Sequence, residues 1–133
     1  MDLYQEMGGE AFFSALVHHF YEGVAQDPVL RAMYPEEDLE PAERRLRLFL
    51  VQYWGGPSTY QAERGHPRLR MRHQPFVVDD DARARWISHM DTALKKTEID
   101  LPLPENLRNE LWAYLQSAAL AMVNSWPEHR DIN

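Results

Sequence analysis

Four arginines, Arg64, Arg68, Arg70 and Arg72, fall within nine residues that contain no acid, and the run GHPRLRMRHQPF leads them straight to His73. The chain around them is acidic. Its net charge is −7, so the loop's +4 leaves −11 for the rest. Forked guanidinium groups suit carboxylates or phosphates, and a neutral imidazole can hold a metal through one ring nitrogen. Such a patch suits a small anionic ligand better than a long polyanion, and the overall charge argues against non-specific nucleic-acid binding. A solvated loop is the alternative reading of the same arginines.

Other chemistries find less support. There is no Gly-x-Ser-x-Gly elbow, and the absence of cysteine excludes thiolate nucleophiles, cysteine-bound zinc and disulfides. The Gly-Gly pairs at 8–9 and 55–56 lack the rest of a nucleotide fingerprint and read as chain breakers. His18 and His19 point about 100° apart on a helix and do not chelate one metal easily. His89 and His129 have no supporting context. The carboxylates of residues 36–38 and 79–81 read as helix caps or solvated groups.

What meets near His73 suits one cofactor. Arginines that can neutralise carboxylates, Met71 and Phe76 beside a single imidazole, and helices rich in Phe, Tyr and Trp match the needs of haem. Haem is a flat apolar disc with two propionates and one iron that a histidine can hold. Tyr21, Tyr34 and Trp86 would supply three hydrogen-bond donors within apolar walls if they converge on one cavity. On helical stripes such aromatics are otherwise core.

The elements that must position these residues are helical. Phe13, Leu16, Val17, Phe20, Tyr21 and Val24 recur at spacings of three and four over residues 10–26, until Asp27-Pro28 ends the stripe. A short turn or helix follows from Val29 to Tyr34. Pro41 opens a second helix whose stripe is Ala42, Leu46, Phe49, Leu50 and Tyr53, and Gly55-Gly56-Pro57 stops it. No period persists from Gly55 to Val78, a stretch longer than the usual structureless connection. Asp79 to Asp81 begin a third helix (Ala82, Trp86, Met90, Ala93, Leu94), and a proline-rich break precedes a fourth (Leu107, Leu111, Leu115, Ala118, Met122, Val123). The fold class is all-α, four substantial helices with one long loop, and 133 residues at 44% apolar predict one domain. Neither a membrane span nor a signal peptide is recognisable, which predicts a cytoplasmic location.

The chain resembles the group II truncated haemoglobins, most closely their actinobacterial branch, from about Tyr4 to about Asn124. FLVQYWGGP with GHPRLRMRHQPF, the tyrosines in HHFYEGV and RAMYPEEDL, and the tryptophan in RARWISHM carry the likeness. The resemblance implies a two-over-two sandwich of antiparallel helix pairs with a long proximal loop. It implies haem b held by His73, with Tyr21, Tyr34 and Trp86 as distal donors. Ala42 and Leu46 would face the ligand, Phe49 and Leu50 would pack on the haem, and Arg45 would meet a propionate. His66, Arg68, Met71, Arg72, Phe76 and Met122 complete the expected cofactor-binding set. Two positions depart from the family. Ala42 stands where many globins have histidine or glutamine, which leaves ligand stabilisation to the phenols and the indole. Tyr34 stands where many members have phenylalanine or histidine.

The function this implies is binding of oxygen and other diatomic ligands for redox chemistry, as a nitric oxide dioxygenase or with peroxidase-like activity. An electron donor would be needed, and a homodimer is compatible with this reading. Oxygen carriage or gas sensing without turnover is the alternative. A helical protein without haem, whose arginine loop holds a partner or nucleic acid, is a third reading.

Overall fold

In the computed structural model, residues 2–68, 72–73 and 77–124 are described. Their regular elements are all helical: α1 (Leu3–Glu6), α2 (Gly9–Ala25), α3 (Pro28–Arg31), α4 (Glu40–Tyr53), α5 (Thr59–Arg64), α6 (Asp80–Asp100) and α7 (Glu105–Met122). Among the described residues no helix is long and apolar enough to cross a membrane.

The long α2 is the centre of the core because its apolar stripe is the widest. Phe12, Phe13, Leu16, Val17, Phe20, Tyr21 and Val24 are all buried, and each large apolar side chain so buried contributes about 1.5–3 kcal/mol. This helix packs against α4 and α6, and α6 packs in turn against α7. The pairs α2/α4 and α6/α7 are thus the two layers of a two-over-two sandwich. Short α3 bridges them by touching both α2 and α6.

The helix starts are written in local polar residues. Asp27 caps α3, accepting from the Val29 and Leu30 amides at 3.0 and 3.3 Å, while Pro28 occupies the first turn, where no amide is needed. Asp79 caps α6 by accepting from the Ala82 amide at 2.9 Å. At the end of α4, Gly55 adopts φ +101°, a conformation that favours glycine, and the Gly56 amide closes the turn on the Val51 carbonyl at 2.8 Å.

Four features differ from the periodicity. Thr59–Arg64 is helical although no stripe marks it; at six residues it buries Tyr60 alone, against Phe49 at 5.6 Å between centroids. One apolar side chain cannot make a period. Tyr53, expected on the buried stripe of α4, is 52% exposed at the end of that helix and stacks on Tyr114 at 3.9 Å. On α7, Ala119 rather than Ala118 takes the buried position, one turn beyond Leu115. The segment Leu3–Glu6 also forms a short helix, capped by Asp2, that buries Tyr4.

Candidate functional site

Three elements present the expected distal donors. Tyr21 lies on the buried face of α2, Tyr34 in the connection from α3 to α4, and Trp86 on α6. Their rings join one aromatic run: Trp86 meets Phe20 at 5.2 Å, Phe20 meets Tyr21 at 5.0 Å, and Tyr21 meets Tyr34 at 5.6 Å. The Tyr21 hydroxyl donates to the Tyr34 hydroxyl at 3.4 Å. Burial pushes the pKa of both phenols up, that of Tyr21 strongly, and the neighbouring Tyr34 adds to the effect on Tyr21. Both are therefore neutral donors over the whole ordinary pH range. Neither the Tyr34 hydroxyl proton nor the Trp86 indole N–H has an acceptor among the described residues.

The loop carrying Tyr34 is fixed by a residue whose role no motif signals. Arg31 donates to the carbonyls of Tyr34 at 3.0 Å and of Glu36 and Glu37, both at 2.8 Å. A second brace ties α3 to α6. Asp27 accepts from His89 Nε2 at 2.8 Å and Arg85 Nη1 at 3.1 Å, so His89, without context in the sequence, has a structural partner. Gly23 leaves the room for it, since a Cβ there would lie 2.6 Å from His89 Nδ1.

On α4, Ala42, Phe49 and Leu50 are buried and Leu46 is half-buried, all within the same hydrophobic cluster as Tyr21, Tyr34, Trp86 and Met122. Arg45, expected at a propionate, is bonded here to Glu36 at 3.0 Å. A backbone hydrogen bond, and then that pairing, hold the pKa of the Glu36 carboxyl below its ordinary value.

The proximal loop is held by backbone contacts. Arg72 turns inward, donating through Nε to the Pro67 carbonyl at 2.7 Å and through Nη2 to the Arg64 carbonyl at 2.9 Å. His73 is half-buried. Asn124 just beyond α7 donates to the His73 carbonyl at 3.4 Å, and its side chain and amide both pair with Val78 at 2.8 Å. The end of α7 thereby anchors the segment that carries the candidate ligand, an arrangement no spacing rule reveals. His66 and Arg68 are exposed. Met71 and Phe76, with Arg70, lie outside the described residues.

This donor set fits haem. A cluster of three or more His, Cys, Asp and Glu side chains, such as a bare metal ion would need, does not occur among the described residues. Haem brings four of its own iron ligands and asks the protein for one imidazole, apolar walls and neutral donors. His73 would hold the iron, Phe49, Leu50 and Met122 would supply apolar surface, and Tyr34 and Trp86 have N–H or O–H groups to spare.

Such an arrangement, two helix pairs with an anchored histidine loop and half-buried neutral donors, defines a small haem-binding helical protein of the truncated-globin class. The chain belongs to the bacterial-like globin family, whose model matches residues 2–124. It is 39% identical over 116 residues to the group 2 truncated haemoglobin YjbI of Bacillus subtilis, covering 87% of this chain and 84% of that protein. Its fold is similar to that of a thermostable haemoglobin from the actinobacterium Thermobifida fusca, with TM-score 0.87 and 60% identity over 93% of this chain and 98% of the other. The group II truncated haemoglobin of Bacillus anthracis is similar at TM-score 0.87 and 35% identity, with 95% and 93% covered. Haem b with its iron is the cofactor, and binding of oxygen and other diatomic ligands the activity, that follow from this family.

Proposed function

We propose that this chain retains oxygen in a strongly donating distal pocket for redox chemistry, nitric oxide dioxygenation or peroxide reduction, rather than for carriage. The observation that carries the proposal is the Tyr21–Tyr34 phenol pair, Tyr21 buried and Tyr34 half-buried beside it, which desolvation keeps protonated and which leaves the Tyr34 proton uncommitted. Haem, when bound through His73, supplies a ligand position and a one-electron redox change. The protein's own part is electrostatic. Tyr21 orders the Tyr34 hydroxyl, and Tyr34 and the Trp86 N–H point of the pocket can donate to a diatomic ligand that carries partial negative charge. Fixed donors in an apolar site act without reorganising. Slow release of oxygen favours reaction over delivery.

In dioxygenation, nitric oxide and oxygen combine with one electron to give nitrate, so each turnover needs one electron from a donor. The test is steady-state consumption of nitric oxide or peroxide by the haem-loaded protein with a small-molecule reductant. Repeated turnover above that of free haem is expected. Oxygen binding without turnover of either substrate would overturn the proposal in favour of a carrier or sensor.

A further inference from the structure

Arginine is rarely left alone in this protein. Every described arginine outside residues 64–72 is bonded to a carboxylate or to backbone carbonyls; Arg44, for example, holds Glu63 and Arg108 holds Glu98. Within the loop Arg72 is satisfied by carbonyl oxygens. Arg64 and Arg68 are the exceptions, with no carboxylate partner among the described residues. The acid next to Arg64 in sequence, Glu63, is drawn away by the Arg44 fork, and the contact left to Arg64 is the Tyr60 ring at 6.0 Å. In a chain with 21 acidic residues this is not a shortage of carboxylates.

The two guanidinium groups and His66 line a surface cleft of about 520 Å³ together with Gly65 and Arg72. Arg72 braces that cleft from within. The cleft also lies beside the candidate iron ligand: the Arg72 amide bonds the Arg68 carbonyl at 3.0 Å, and His73 follows directly. We propose that Arg64, His66 and Arg68, the last two expected from the family resemblance to serve the cofactor but exposed at this surface cleft, form the docking point for an acidic one-electron donor protein, whose carboxylates pair with the two arginines.

This inference rests on the redox reading above. An electron leaves the donor protein and converts ferric to ferrous haem iron; the donor is oxidised by one electron, and no bond or proton is exchanged. Charge complementarity selects the partner. The −11 carried outside residues 64–72 would repel an acidic protein at very low salt, but the Debye length is about 8 Å at physiological ionic strength, so at contact the charges of Arg64 and Arg68 decide. A donor docked here would sit within a few residues of His73.

Binding can be read without turnover. The haem-loaded protein is titrated with an oxidised acidic flavodoxin by calorimetry at moderate salt, with inorganic phosphate and a basic cytochrome c titrated in parallel. Saturable binding of flavodoxin is expected, weakening as salt rises from about 0.1 to 0.5 M, and weakened about tenfold by Arg64→Glu. Arg64→Gln should lie between, and the salt series needs no variant. Reduction of the ferric protein by reduced flavodoxin should slow in Arg64→Glu while reduction by a small-molecule reductant does not. Absent or salt-independent flavodoxin binding, preference for cytochrome c, or displacement of flavodoxin by dilute phosphate would overturn the docking proposal. If the haem protein fails to turn over with a small reductant while flavodoxin binding stands, the redox reading fails instead.

Discussion

Replacing Tyr21 with Phe or Trp86 with Leu is expected to accelerate oxygen release by roughly tenfold to a hundredfold each. A hydrogen bond to a charged or partly charged group contributes about 1.5–3 kcal/mol, and about 1.4 kcal/mol is a factor of ten. Tyr21 acts by ordering Tyr34, to which it donates at 3.4 Å, whereas Trp86 has an N–H free of any acceptor among the described residues. Since Tyr21 stands on α2 and Trp86 on α6, their effects separate by mutation. The double variant should fall short of the product, because Trp86 and Tyr34, which Tyr21 orders, would share one ligand and do not act independently. Stopped-flow displacement of oxygen by carbon monoxide measures the rates. Unchanged release in both single variants would remove the distal pocket from the account.

Asp27→Ala is expected to cost about 2–4 kcal/mol of stability, combining a lost helix cap with the loss of a buried charge partner. Asp27 is 7% exposed, so burial alone would raise its pKa. The hydrogen bonds from His89, Leu30 and Val29, with the charge of Arg85, outweigh that and lower it. The folded value therefore lies below the unfolded one, near ~3.9. The stabilisation is complete above that unfolded value and is lost as pH falls through the folded one. Urea melts should show the full difference between parent and variant at pH 7 and a shrinking one below about pH 4. A variant as stable as its parent at pH 7 would show that α3 and α6 are held together by other contacts.

The sandwich was legible wherever burial repeats. The stripes of α2, α4 and α6, the break at Asp27-Pro28 and the acidic start at Asp79 follow from side chains within one or two turns of each other. Thr59–Arg64 was not legible because one buried ring makes no period, and Tyr53 escaped the α4 stripe because the helix ends there. The braces of the site were invisible for a different reason. His89 meets Asp27 across 62 positions, Asn124 meets His73 across 51, and Arg31 and Arg72 bind backbone carbonyls, which every residue has. For His73 the residue types made a haem ligand plausible; the family resemblance assigned the role. Arg45 was expected at a propionate on the same ground, and its ion pair with Glu36 shows that this residue has a protein partner to exchange.

The loop that opened the sequence has acquired a division of labour. Arg72 is an internal strut, Arg64 and Arg68 are exposed with no acid partner among the described residues, and His73 is tied to the end of α7 through Asn124. The measurement that tests the central claim most directly is a haemin titration of the haem-free protein, followed by absorption near ~400 nm, beside the same titration of His73→Gly. One equivalent per chain should saturate the parent, and the variant should lose the bound spectrum and regain it when imidazole is added. A parent that takes up no haem, or a His73→Gly variant with an unchanged spectrum, would contradict the account.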